Sequence, residues 1–151
     1  MEGDLCRLQV RYVGRLGVPV GIFVAVDHLR RAGRLTATDE DLYFDLDDWF
    51  RAELPDPPFY GDGNSIGAVT WFKTAPAADM LAQLEPLRDI LRRYDVPHDR
   101  IESNDPGRIV YADDFQVGVI PYIRATPTPI PQGFTLGPTT AGSKRHLRKS
   151  T

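Results

Sequence analysis

At 151 residues, 42% hydrophobic and 26% charged, the chain has the size and composition of one globular domain, able to bury roughly two thirds of its unfolded surface. Its single cysteine, Cys6, excludes an intrachain disulfide, so the fold rests on an apolar core. The net charge of −3 is uneven: residues 1–114 carry −8 and residues 115–151 carry +5, so the body repels a phosphate backbone and only the C-terminal stretch can attract one.

The opening MEGDLCRLQV lacks the basic-then-apolar order of a signal peptide. The longest apolar run, GVPVGIFVAV, is too short to span a bilayer. The expectation is a cytoplasmic protein without a membrane span. Fifteen of the 18 basic residues are Arg, a bias that fits a GC-rich bacterial genome.

LCRLQVRYV alternates Leu8, Val10 and Tyr12 against Arg7, Gln9 and Arg11, the period of a strand with one buried and one wet face. GRLGVPVG follows as a loop. In IFVAVDHLRRAG, Ile22, Ala25, Val26, Leu29 and Ala32 share one helical face, Arg30 and Arg31 suit a C-terminus, and Gly33 suits the cap after it. TDEDLYFDLDDWFRAEL reads as a helix capped by Thr38, with Leu42, Leu46, Trp49, Phe50 and Leu54 as its buried stripe. PDPPFYGDGNS ends it.

IGAVTWF is β-branched and aromatic and reads as a central strand. Thr74 opens a further helix carrying Met80, Leu84, Leu87, Leu91 and Tyr94 at helical spacing. Pro86 removes one of its backbone hydrogen bonds, so a kink is expected near residues 83–85. HDRIES reads as an edge strand. DPG signals a type II turn with Gly107 at positive φ, and RIVYA and FQVGVI follow as strands. Residues 122–151, rich in Pro, Thr and Gly and without hydrophobic period, read as a flexible tail with a basic end. The order predicts an α+β fold in residues 1–121: a single layer of mostly antiparallel sheet, about five strands, packed by about three helices.

The spacing of WFK, a helix and strand of roughly 30 residues, and then PGRIVYADDFQVGVIP resembles a group of small uncharacterised bacterial proteins. Their members carry a WF(K/R) stretch and a PG-x-I/V-x-Y-x-D-x-x-QV stretch. The GIFVAVDHLRRAGRL segment and the helix ending in DWF are also similar to that group, so the likeness covers about residues 8–121. Ala112 stands where the group more often has an acidic residue. The resemblance implies one folded unit and carries no catalytic role to any residue.

Asp113 and Asp114 are candidates for a divalent cation or for acid–base work. Turn chemistry accounts for the pair completely and is the preferred reading, because Asp is favoured where adjacent strands reverse. Lys73, beside Trp71 and Phe72, is the only lysine before the basic end; it can bind an anion, or snorkel at a strand end. His28 and His98 lack metal-ligand spacing. The acidic run Asp39, Glu40, Asp41, Asp45, Asp47 and Asp48 reads as a solvated helix face, with Asp47 paired to Arg51. Gly61–Ser65 (GDGNS) reads as a surface loop rather than an anion nest.

Three functions follow in order of preference. The first is a non-enzymatic binding or accessory protein without an evident cofactor, presenting an aromatic patch of Phe59, Tyr60 and Trp71 to a protein partner. The second is a metal-assisted or acid–base hydrolase, acting on a phosphoester, with Lys73, Glu102, Tyr111, Asp113 and Gln116 gathered on one sheet face. The third is association with nucleic acid through Lys144, Arg145, Arg148 and Lys149.

Overall fold

A computed structural model describes residues 3–131. The elements run β1 (Leu5–Val13), β2 (Pro19–Gly21), α1 (Ile22–Arg31), α2 (Ala37–Glu53), a 3-10 turn (Pro58–Asp62), β3 (Val69–Lys73), α3 (Ala78–Gln83), α4 (Glu85–Arg93), β4 (His98–Ser103), β5 (Gly107–Ala112) and β6 (Gln116–Pro121). The fold is α+β with one antiparallel sheet, and among the described residues its strands number six rather than five. The additional strand is β2, hidden from sequence reading inside a loop of Gly and Pro. Among the described residues no helix is long and apolar enough to cross a membrane.

The sheet is built around β1. Its residues Leu5–Val10 pair with β4 on one side. On the other side it changes partner: Leu5 and Cys6 pair with Lys73 and Phe72 of β3, whereas Gln9 and Val13 pair with Gly21 and Pro19 of β2. Beyond β3 come β6 and then β5, which forms the far edge. HDRIES is the opposite edge, as the sequence implied.

All the helices lie on one face. Cys6, Leu8 and Val10 of β1 join Ile22, Ala25, Val26 and Leu29 of α1, Phe50 of α2 and Leu87, Ile90 and Leu91 of α4 in one core. The α1 stripe is buried as its period requires. The third helical segment breaks at Leu84, between α3 and α4, where the ring of Pro86 interrupts the ladder. The opposite sheet face carries a smaller cluster of Leu5, Leu16, Val69, Trp71, Val117 and Val119, with no helix of the described residues over it.

Four local expectations are corrected. Thr36, not Thr38, caps α2, accepting a hydrogen bond from the Asp39 amide at 3.1 Å. The buried side of α2 is turned toward Asp39, Tyr43, Phe44, Leu46, Asp47 and Phe50, leaving Leu42 and Trp49 only partly buried. Gly107 does not adopt positive φ; it lies in β5, where any Cβ would collide with the backbone of Ile120. The segment read as tail is strapped to the body at its start. The Ala125 amide donates to Gly17 O at 2.7 Å, Arg124 donates to Leu16 O and Gly67 O at 2.6 and 3.0 Å, and Thr128 bonds both ways with Val13. These contacts use backbone groups, one arginine and the Thr128 hydroxyl, so they leave no hydrophobic period to read.

Candidate functional site

The switch of partners along β1 opens a split in the sheet between β2 and β3. Arg7 fills it. Sequence alternation places Arg7 on the wet side of β1, yet the residue is only 7% exposed. Its guanidinium donates to Thr70 O of β3 at 3.1 Å and to Pro19 O of β2 at 3.0 Å, while Nε donates to Gln9 Oε1 at 3.2 Å. A planar fork with five donors can bridge two diverging strands in this way, which a point-charge ammonium cannot. Burial lowers the pKa of Arg7 to about 10, with the nearby Tyr60 opposing that shift. Beside Arg7 lies a cavity of about 80 Å³ walled by Phe23, Phe50, Tyr60 and Phe72.

Asp113 answers to turn chemistry. Its Oδ1 accepts from the amides of Phe115 and Gln116 at 2.8 and 3.0 Å, and its own amide donates to Gln116 O. Its Oδ2 accepts from Tyr111 Oη at 2.7 Å and from Gln116 Nε2 at 3.0 Å. Both oxygens therefore serve the reversal between β5 and β6. Burial raises the Asp113 pKa, but bonds from Tyr111, Gln116 and Phe115 outweigh it and leave the carboxyl below its ordinary value. The same bond, with lesser contributions from burial and charge, raises Tyr111 to about 12. Asp114, next in the turn, is exposed.

Of the five residues expected on one sheet face, the structure joins three: Tyr111, Asp113 and Gln116. Gln116 also donates to Pro55 O at 2.7 Å, fastening the end of α2 to β6. Lys73 lies on the other face, because Leu5 pairs with Lys73 while Cys6 pairs with Phe72, and Phe72 in turn pairs with Gln116. Glu102 is on β4, beyond β1 and β3 from β6, and accepts from the Gly3 amide and Arg100.

The aromatic trio is also divided. Phe59 packs over Gly118 and Tyr111, and Tyr60 Oη is 3.3 Å from Thr70 Oγ1, both on the helix-bearing side. Trp71 belongs to the opposite cluster and is 9% exposed. Lys144, Arg145, Arg148 and Lys149 lie outside the described residues.

The acidic run is not a uniformly solvated face. Asp39 and Asp47 are buried. Asp39 binds Arg93 and Tyr94, tying α2 to the end of α4. Asp47 Oδ2 accepts from Arg51 at 2.8 Å, as expected, while its buried Oδ1 lacks a hydrogen-bond partner. Asp27 was not singled out in sequence, yet it holds Arg30 and Arg31 at 2.8 and 2.7 Å. His28 Nδ1 meets Tyr12 Oη at 2.8 Å, and burial lowers its pKa, against the opposing pull of Asp27. Asn64 pins the GDGNS loop through reciprocal bonds to Ala68.

On the helix-free face, a groove of about 300 Å³ runs between Val18, Val69, Trp71, Pro106, Tyr122 and Ile123. Toward the β5 edge, Ile109 is 57% exposed and Val110 37%, and Ile123 is 84% exposed beside the groove. No protein-family model, curated protein or solved structure matches the chain.

Proposed function

We propose that the chain is a non-enzymatic binding protein that takes an extended segment of a protein partner on the helix-free side of its sheet, along the β5 edge. The one-sided layering carries this reading. Helices cover one face, while Ile109, paired with Val119 of the opposite cluster, and Ile123, beside the groove, stand exposed on the other, and Val110 is exposed along the same edge strand. Such a patch marks an interaction surface. Among the described residues no strand pairs with the outer side of β5, and such an edge offers backbone groups for strand addition, the mode in which an extended peptide extends a sheet.

The hydrolase reading draws less support. The two oxygens of Asp113 are engaged by the hairpin, and Lys73 stands across the sheet from Gln116. A general base needs a free lone pair within hydrogen-bond reach of its proton.

A photoreactive side chain tests the binding reading. Placed at Ile109 or Ile123 in cells of the native host, it is expected to crosslink a protein; placed at Asp41, exposed on α2, it is not. Crosslinks from Asp41 alone would contradict the assignment.

A further inference from the structure

We propose that the segment taken by the β5 edge is β5 of a second copy of this chain, in an antiparallel pairing about a twofold axis at Tyr111. This rests on the reading of the β5 edge as the binding surface and names its partner.

The two sheet edges differ in how they are defended. The β4 edge, HDRIES, carries His98, Asp99, Arg100 and Glu102 along its length, and charged side chains of this kind deter a further strand. The β5 edge, GRIVYA, carries one charge, Arg108, followed by Ile109, Val110 and Tyr111. Neither Lys nor Pro interrupts it. Pairing with β6 shifts register between Ile109 and Tyr111, so Val110 has no Cα partner on β6. An extra residue of this kind is left outside the ladder, and Val110 is among the exposed residues of the edge.

The edge is complementary to itself. Arg108 stands near one end of β5 and Asp114 in the bend just past the other, both exposed. In an antiparallel pair centred on Tyr111, Val110 of each copy faces Ala112 of the other, Ile109 meets the Asp113 position, and Arg108 lies across from the bend that carries Asp114 just past β5. The twofold axis repeats the ion pair at both ends, as an isologous interface requires. Unlike charges brought near each other across such a pairing favour it and like charges oppose it. Between the two ion pairs, Val110 of each copy leaves water against Ala112 of the other. A ladder of three residues per copy is short, which places the dimer among weak interfaces.

Sedimentation equilibrium on the full chain across a micromolar concentration series tests this. The wild type is expected to form a reversible dimer. Arg108→Asp alone and Asp114→Arg alone are each expected to weaken it roughly tenfold or more, since each sets like charges together twice. The combined R108D/D114R chain, with the charges exchanged, is expected to regain the wild-type constant. Arg108 and Asp114 are exposed, so loss of the dimer with an unchanged circular dichroism spectrum separates association from folding. A wild type that stays monomeric throughout the series would overturn the proposal, as would a dimer indifferent to both single reversals. If such a monomer still crosslinks a different protein from Ile109, the second copy fails and the binding reading stands. If Ile109 captures nothing, both fail.

Discussion

Replacing Arg7 by Met keeps the stem of the side chain and removes the guanidinium that closes the sheet split. Thr70 O and Pro19 O then lose their Arg7 donors. An acceptor left unmade costs about 1–3 kcal/mol when fully buried; these two are part-buried, so together they cost roughly 2–5. Part of this is offset because a charged group no longer has to be desolvated, an effect visible in the lowered pKa of Arg7. The expected net loss is about 2–4 kcal/mol, or roughly 5–15 °C in Tm for a chain of this size. Arg7→Lys recovers less than half, because an ammonium cannot reach two diverging strands with fixed geometry. Urea unfolding followed by tryptophan fluorescence measures the change. Arg11→Met, which removes an exposed ion pair to Asp99, is the control and leaves the midpoint unchanged. An Arg7→Met midpoint equal to that of the wild type would refute the role given to Arg7.

Three further outcomes are expected. Phe50→Ala deletes a fully buried ring at the meeting of α1, α2 and β3 and costs about 3–5 kcal/mol in urea unfolding. Gly118→Ala puts a methyl into the ring of Phe59 and costs about 1–3 kcal/mol; the penalty shrinks in a Phe59→Ala background, and an unchanged penalty in that double-mutant cycle would remove Phe59 as the cause. The bond between Tyr111 and Asp113 makes stability depend on pH at both extremes. The folded pKa of Asp113 is depressed, so its contribution is present above the ordinary carboxylate value and is lost as pH falls through the lower folded one. The folded pKa of Tyr111 is raised to about 12, so its contribution holds below the ordinary phenol value and is lost as pH rises toward 12. Tyrosinate absorbance in Asp113→Asn is expected to show one phenol titrating earlier than in the wild type.

What the sequence disclosed depended on whether one element or several decided a residue's place. The α1 stripe, the IGAVTWF strand, the break at Leu84 and the closing hairpin each follow from local period or turn chemistry. Asp113 as a turn residue follows from the same source. Arg7 does not, because its burial depends on β1 changing neighbours, and alternation within β1 cannot report that. Asp39 and Asp47 entered the interior because Arg93, from a helix distant in sequence, and Arg51, one turn along, compensate them. Phe59, Tyr60 and Trp71 are close in sequence but are parted by the two faces of one sheet. The strapping of Arg124 onto Leu16 and Gly67 likewise joins segments about a hundred and about sixty residues apart.

Amide hydrogen exchange measured over a dilution series addresses the central claim most directly. The β5 edge, as the surface that receives a second strand, should show amides at Val110 and Ala112 exchanging more slowly as concentration rises, while the outer amides of β4 keep one rate throughout. Protection that grows at β4, or at neither edge, would contradict the account.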